Sequence, residues 1–445
     1  MIKKQKIWSF ILSLVLILSL TITFSLAGCK KAVPEEEAVE EAVEEEEEIA
    51  KEEEEIAKKD IRIVIWGLAS TVDAWEHVFD DFESEFGYKV EFQRIPDVYD
   101  QNVMMKWAAD ERPDVLFFHP DMWDLAKLNP ENNLRDLSSE DFIKSNSLKY
   151  HGKTYGASFN FPSAHGIIYN KEIFDDLNLE IPGNYEEFWE LCKNIKAEGI
   201  TPLYDAGGDA WPLQVLVFIW WTDAFKNTNI AEELNTNQTA WTDERILFGI
   251  QAQKDIQEAG FYNEDLLTGT YEKSRAALMD GRVAMVSQGS WMLDVLLQEY
   301  GIDEVNKKVG FFGISKDSDT TSKSTTIHGS LFLPKTGDPV REEAALELLR
   351  YISGERYQGY VNEIKMYPVL EGFEVPADLP EVKKEVGRCV ESGYPVFSDL
   401  VVTQYGPMEI FLQEMLAGTK TPLEVAEALD REFTKSAQEK GIEGF

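Results

Sequence analysis

Strand patterns and helix patterns alternate along one stretch of the chain, and this alternation restricts the possible folds more than any other feature. Apolar runs or apolar–polar alternation predict strands at residues 61–66, 89–95 and 113–118. Between them, apolar side chains at helical spacing predict helices over residues 75–86 and 103–109. Because strands that alternate with helices build a parallel sheet, we expect an α/β fold.

The carboxyl ends of the first and third predicted strands carry side chains suited to ligand binding. Ligands approach parallel sheets at that edge. Trp66 ends the first strand, and Asp121 follows the third in the sequence His119-Pro120-Asp121. We expect the Trp66 ring to face a cleft and the Asp121 carboxylate to accept hydrogen bonds from a ligand. The alternatives are that Trp66 packs in the core and that Asp121 caps the next helix.

The N-terminus predicts export from the cytoplasm. A positively charged start precedes an uncharged apolar stretch over residues 7–26, and the sequence LAGC at 26–29 resembles the lipobox of bacterial lipoproteins. We therefore expect residues 1–28 to be a lipoprotein signal peptide and Cys29 to be acylated. The acyl chains would anchor the mature protein to the outer face of the cytoplasmic membrane. The alternative is a signal anchor followed by a free cysteine.

The charge of the chain limits its partners. Residues 29–59 are expected to form a solvated linker, because 14 Glu and 3 Lys occupy positions 35–59. The whole chain carries a formal net charge of -38, and residues 60–445 hold -32 of it. This excess of acidic side chains argues against nucleic-acid binding and disfavours anionic ligands.

Cysteine and histidine patterns give no sign of a metal or cofactor site. Three cysteines are too few for a disulfide-stapled scaffold. Cys192 and Cys389 are expected to be buried thiols, with a single disulfide between them as the alternative. The five histidines show no ligand spacing, and motifs for a nucleophile elbow, a zinc site or a phosphate loop are absent from the sequence. We expect no metal, no cofactor and no catalytic residues.

Four motifs in register resemble the extracellular solute-binding proteins that serve ABC importers, and the carbohydrate-binding branch of that family in particular. The likeness covers essentially all of residues 60–445. In chain order the motifs are HGKTYG at 151–156, IIYNKEIF at 167–174 with IP and YEEF shortly after it, AALMDGRVAM at 276–285 leading to GSW at 289–291, and TPLEVAEAL at 421–429.

The resemblance implies a periplasmic-binding-protein-like fold of type II. Such a fold has two α/β lobes, each a mixed, mainly parallel sheet flanked by helices, with a hinged cleft between them. We expect an N-terminal lobe at 60–163 plus 328–397 and a C-terminal lobe at 164–327 plus 398–445. Hinges are expected near 162–167, 327–331 and 393–398, and the protein is expected to be a monomer.

A neutral sugar presents a flat apolar face and a rim of hydroxyls, so its receptor needs aromatic rings beside polar side chains. The resemblance places Trp211 and Trp291 at stacking positions of the family, with a hydrophobic staple as the alternative role of Trp291. Asp209 precedes Trp211 and either binds ligand or caps the following helix. His328 at the second hinge either reaches a sugar hydroxyl or is an ordinary buried histidine. Tyr367 is a further ligand candidate whose alternative is a turn aromatic.

The resemblance implies a function as well. We expect a lipid-anchored receptor that captures a mono- or oligosaccharide between its lobes and presents it to the transmembrane subunits of an ABC permease. One alternative, motivated by the acidic charge, is a receptor for a polyamine or another cationic solute. A second alternative is an exported glycoside hydrolase, which would use two carboxylates.

Overall fold

The computed structural model describes residues 60–96, 99–354 and 356–445. The predicted signal peptide, Cys29 and the Glu-rich linker lie outside these ranges. Among the described residues, no helix combines the length and the apolar character needed to cross a bilayer.

Twelve strands and seventeen α-helices are present in the described residues. The strands are β1 (Arg62–Leu68), β2 (Lys89–Ile95), β3 (Val115–Phe117), β4 (Ser147–Tyr150), β5 (Lys153–Ser158), β6 (Ser163–Asn170), β7 (Thr201–Tyr204), β8 (Val283–Gly289), β9 (Val309–Phe312), β10 (Ser322–Ser324), β11 (Ser330–Phe332) and β12 (Tyr394–Pro395). The helices are α1 (Ala74–Phe86), α2 (Tyr99–Ala108), α3 (Met122–Leu128), α4 (Pro130–Asn133), α5 (Lys171–Asp176), α6 (Tyr185–Ala197), α7 (Leu213–Asn227), α8 (Ile230–Asn235), α9 (Glu244–Glu258), α10 (Tyr271–Met279), α11 (Trp291–Tyr300), α12 (Ile302–Lys308), α13 (Pro339–Ser353), α14 (Arg356–Ile364), α15 (Glu381–Ser392), α16 (Met408–Leu416) and α17 (Pro422–Glu439).

The predicted strand–helix alternation at the start of the fold is confirmed. Helix α1 buries the apolar face expected from its spacing, and Gly87 ends it with a left-handed backbone at a φ of 78°. Strand β1 pairs in parallel with both β2 and β3. Several boundaries differ from the prediction. Strand β1 continues through Gly67 to Leu68 instead of ending at Trp66, α2 begins at Tyr99 instead of residue 103, and β3 is limited to Val115–Phe117.

The strands form two six-stranded sheets. The first has the order β2-β1-β3-β11-β5-β4, and the second has the order β12-β10-β6-β8-β7 with β9 also paired to β6. The expected mixed sheets are confirmed, but the expected parallel majority is wrong. In the described residues, each sheet has two parallel and three antiparallel pairings. The reason is the chain path, since β6 and β11 enter their sheets after crossing from the other one and run against their neighbours.

Each sheet has its own apolar core. One cluster surrounds the first sheet and includes Trp75, Phe117 and Tyr357. Two clusters cover the faces of the second sheet. Trp220 and Trp221 of α7 are buried in one of them, as the sequence predicts.

Within the described residues, the chain passes between the sheets three times. The first two passages join β5 to β6 and β10 to β11. The third lies between Leu370, in the first core, and Val382, in a core of the second sheet. The predicted assignment of 328–397 to the first lobe is therefore corrected at its end, because α15 packs on the second sheet and β12 pairs with β10. The amphipathic pattern of α15 gives no sign of which sheet its apolar face will cover.

The thiols of Cys192 and Cys389 are free, so the alternative of a disulfide between them is wrong. Cys192 is buried as predicted, and its burial raises the pKa of its thiol. Cys389 is only partly buried.

Candidate functional site

A pocket lies where the elements of the two sheets meet. From the first sheet's side it is lined by Asn160, Phe161, His328, Ile364, Met366 and Tyr367, and from the second sheet's side by Ser163, Ser290, Trp291, Asp294, Lys383 and Val386. The pocket is partly open to solvent, and its cavity volume is about 30 Å³. That volume holds about one water molecule, so a larger ligand enters only when the two walls move apart.

Trp291 lies at the change from strand to helix, as the sequence predicts. Strand β8 ends at Gly289, and the indole then folds back over that glycine. A Cβ atom at Gly289 would lie only 2.0 Å from the Trp291 ring. The His165 ring and the indole meet edge to face at a centroid distance of 5.5 Å, and the Trp211 ring lies 6.3 Å from the indole. The indole is only partly buried, which leaves part of its surface to the pocket.

His328 and Tyr367 both line the pocket. His328 lies in a 3₁₀ turn between the sheets, and its carbonyl accepts a hydrogen bond of 3.0 Å from Trp75 Nε1. Burial lowers the pKa of His328 to about 4, so its ring is neutral at pH 7. The ring of Tyr367 lies against Gly387 of α15, where a Cβ atom would come within 2.4 Å of Tyr367 Cε2.

An ion pair in the pocket wall was missed by the sequence reasoning. Lys383 Nζ of α15 contacts Asp294 Oδ1 of α11, and the two side chains are 10 % and 21 % exposed. Asp294 lies one helical turn after Trp291 and therefore on the same face of α11. This spacing could have identified Asp294 as a pocket residue from the sequence. Lys383 comes from a distant helix, and only the packing of α15 brings it to the pocket.

Trp66 does not reach this pocket. Only 3 % of its surface is exposed, it belongs to the first core, and the ammonium of Lys106 lies 5.0 Å above its ring. The prediction that Trp66 faces a cleft is therefore wrong, and its alternative of core packing is confirmed. The cause is the longer β1, which places Trp66 inside the strand between Gln93 and Leu116.

Asp209 and Asp121 also lie outside the pocket lining. The carboxylate of Asp209 accepts a hydrogen bond of 2.7 Å from the backbone N–H of Tyr271, at the start of a different helix from the one expected. Asp121 Oδ1 accepts hydrogen bonds from the N–H groups of Trp123 and Asp124, so its capping alternative is confirmed. Burial, followed by repulsion from Asp124, raises the pKa of Asp121 to about 7.

Comparison with known proteins decides the family. Residues 77–386, well over half of the chain, match the family model described as bacterial extracellular solute-binding protein. The chain belongs to this family. Its members are binding proteins rather than enzymes, which agrees with the expected absence of catalysis.

This solute-binding protein is also similar to individual proteins and solved structures. The Multiple sugar-binding protein of Streptococcus mutans serotype c is 23 % identical over 234 residues, which are 50 % of this chain and 55 % of the relative. The structure of a chitin oligosaccharide binding protein and that of SBP RafE in complex with raffinose each have a TM-score of 0.72 at 21 % identity. They cover 85 % and 84 % of this chain, respectively, and 99 % of their own.

The two kinds of comparison support different statements. The match to the curated relative spans only about half of that relative's length. The structural likenesses extend over nearly the whole described chain and confirm the predicted two-lobe α/β fold.

The pocket of this solute-binding protein combines three kinds of side chain. Trp291 and Tyr367 offer aromatic faces, Asn160 and His328 offer neutral polar groups, and the Asp294–Lys383 pair offers both an acceptor and donors. The pair cancels its own charge and His328 is neutral, so the pocket presents no net charge to a ligand.

Proposed function

We propose that this solute-binding protein is the extracytoplasmic receptor of an ABC importer and that it captures a neutral mono- or oligosaccharide for delivery to the permease. The observation that carries the proposal is the Trp291 indole in a pocket between the two sheets, which is also lined by neutral polar groups and by the Asp294–Lys383 ion pair. An indole covers the C–H face of a sugar ring, while amide, imidazole and carboxylate groups bind its hydroxyls. The names of the three similar proteins, which refer to multiple sugars, a chitin oligosaccharide and raffinose, support this ligand class.

The charge distribution favours a neutral solute over a cationic one. Residues 60–445 carry a net charge of -32. In the pocket, however, the carboxylate of Asp294 is already paired with Lys383. A polyamine would have to displace that lysine, whereas a sugar hydroxyl can bind to the pair without breaking it.

The proposed mechanism is closure of two lobes over the ligand. The cavity volume of about 30 Å³ is too small for a sugar, so the walls must separate before binding and approach again afterwards. The three passages between the sheets are the proposed hinges. Sugar contacts on both walls stabilise the closed arrangement, because only that arrangement lets one ligand touch His328 and Trp291 together.

Of the seven ligand contacts predicted from the sequence, we keep Trp291, His328 and Tyr367 as direct contacts. Trp211 is kept as a neighbour of the Trp291 ring. Asp209 and Asp121 have backbone partners, and Trp66 is buried, so none of these three is proposed as a contact in this arrangement.

The membrane association is proposed from the sequence alone. Acylation of Cys29 would hold a monomeric receptor at the outer face of the cytoplasmic membrane, beside the permease. Labelling of cells with a radioactive fatty acid tests this step, because the wild-type protein should be labelled and Cys29→Ser should not.

A carbohydrate screen tests the ligand class. Thermal unfolding of the protein is measured with a panel of neutral mono- and oligosaccharides, with spermidine and with buffer alone. At least one sugar should raise the melting temperature, and calorimetry of that sugar should give nearly the same affinity at low and high salt. Stabilisation by spermidine alone, with an affinity that falls steeply with salt, would overturn the proposal. Cleavage of an oligosaccharide during incubation would favour a hydrolase instead.

A further inference from the structure

Three potential metal ligands from separate elements meet outside the pocket. Asp100 lies in the first turn of α2, His119 follows β3, and Asp124 lies in the first turn of α3. One ligand atom from each lies within 4.8 Å of the others, and His119 Nε2 is 3.2 Å from Asp100 Oδ1. The spacing of 19 and 5 residues along the chain gives no metal signature, and only the fold brings the three together.

We propose that Asp100, His119 and Asp124 form a binding site for a divalent first-row transition-metal ion such as Zn²⁺ or Mn²⁺. Imidazole nitrogen is a good ligand for these ions, whereas Ca²⁺ and Mg²⁺ prefer oxygen ligands alone. Three protein ligands leave coordination positions for water. The side chains of Asp100, His119 and Asp124 are 39 %, 36 % and 22 % exposed, so an ion reaches them from solvent.

The local charge suits a divalent cation. Asp100, Asp121 and Asp124 bring three carboxylates to this place, and Lys127 contacts Asp124 with its ammonium. Burial lowers the pKa of His119, but the charges of Asp100 and the neighbouring carboxylates outweigh it and raise this pKa to about 10, so a metal ion has to displace a proton from the imidazole when it binds. None of the three proposed ligands lines the sugar pocket, so the metal site does not rest on the proposed function.

Lys127 provides a test that separates a metal site from a plain network of ion pairs. Its ammonium is paired with the Asp124 carboxylate and has to leave that carboxylate when a metal ion binds. Lys127→Gln should therefore tighten metal binding several-fold. If the cluster only balances charges, the same substitution creates no metal affinity.

The experiment is calorimetric titration of the EDTA-treated full-length protein in detergent with ZnCl₂ and, separately, MnCl₂. We expect one saturable site, loss of at least tenfold in affinity for His119→Gln and for Asp100→Asn, and a gain for Lys127→Gln. His151→Gln is the matched control. His151 also pairs with a carboxylate, that of Glu131 at 3.3 Å, but it does not belong to the three-ligand cluster. Co²⁺ bound to wild type should also show visible absorption bands that disappear in His119→Gln.

Two results would overturn the metal site. One is the absence of a saturable site in wild type for either ion. The other is an unchanged affinity in both His119→Gln and Asp100→Asn while circular dichroism shows that the variants are folded. Because sugar affinity is measured separately in EDTA, the outcome leaves the proposed sugar binding unaffected.

Discussion

His165 should make the stability of the protein depend on pH in a direction that the structure fixes. The residue lies in β6, directly behind the Trp291 ring, with 3 % of its surface exposed. Its Nδ1 hydrogen-bonds the Ser322 hydroxyl at 2.8 Å, and burial lowers its pKa to about 4. The ring is therefore neutral in the folded protein at every pH above about 4.

The sign and size of this pH effect follow from the pKa of His165 in the folded protein and its pKa in the unfolded chain. The unfolded chain takes up a proton at His165 below pH 6.5, whereas the folded chain does so only near pH 4. The stabilisation is complete above pH 6.5 and is lost as the pH falls towards 4. With these values, the contribution of His165 falls by about 2 kcal/mol between pH 7.5 and pH 5.

Urea unfolding of wild type and His165→Gln at both pH values measures this quantity. Glutamine retains a polar group that can reach Ser322 but does not titrate. The stability difference between wild type and variant should therefore change by about 2 kcal/mol between the two pH values. His77→Gln is the control, because the hydrogen bond with Glu363 raises the pKa of His77 and predicts a pH effect of the opposite sign. A difference between wild type and His165→Gln that stays constant with pH would refute the reasoning.

The other predictions concern aromatic residues inside and outside the pocket. Trp291→Ala should weaken binding of the sugar found in the screen by at least about 2 kcal/mol, or roughly 30-fold by calorimetry, while Trp189→Ala, at a partly buried indole elsewhere, should leave affinity unchanged. Trp66→Ala should lower the free energy of unfolding by about 3–5 kcal/mol in urea titrations, because it opens a cavity in the first core. Trp66→Phe should keep sugar affinity within twofold. A larger loss would indicate that Trp66 contacts the sugar after all. Gly387→Ala should push Tyr367 out of place and cost roughly 1–3 kcal/mol of stability in the same assay, so an unchanged midpoint would contradict the close contact.

The first strand–helix units were readable from the sequence because their signals are local. Apolar spacing and a helix-ending glycine predicted α1 and β2 with the bounds that the structure has, apart from one residue at the start of α1. The placement of Trp291 could be predicted for the same reason, since β8 ends in a glycine and only Ser290 separates it from the helix that begins at Trp291. These patterns depend on neighbours within a few residues, so tertiary packing does not alter them.

Trp66 shows how a small boundary error changes the predicted role of a side chain. The sequence predicts that β1 ends at this residue and that its ring is exposed. In the structure the strand continues for two more residues, and the ring is buried. Glycine is a weak strand former, so Gly67 indicates a strand end in the sequence. Pairing with β2 as far as Leu68 overrides that preference.

The pocket needs contributions that no local pattern contains. Lys383 reaches Asp294 because α15 packs on the second sheet, 89 residues along the chain from its partner. Asp100, His119 and Asp124 meet for the same kind of reason, since they lie in the first turns of two helices and in the segment after β3.

The sequence by itself determined the α/β class, the two-lobe family and the position of the aromatic side chain that opens α11, because repeating patterns and short motifs record them. The tertiary structure alone decided the directions of the crossing strands, the sheet that receives α15 and the partners of each charged side chain. Those features depend on which surfaces, distant in sequence, pack together. The free energy of such packing is distributed over many residues, so no single position or short motif predicts it.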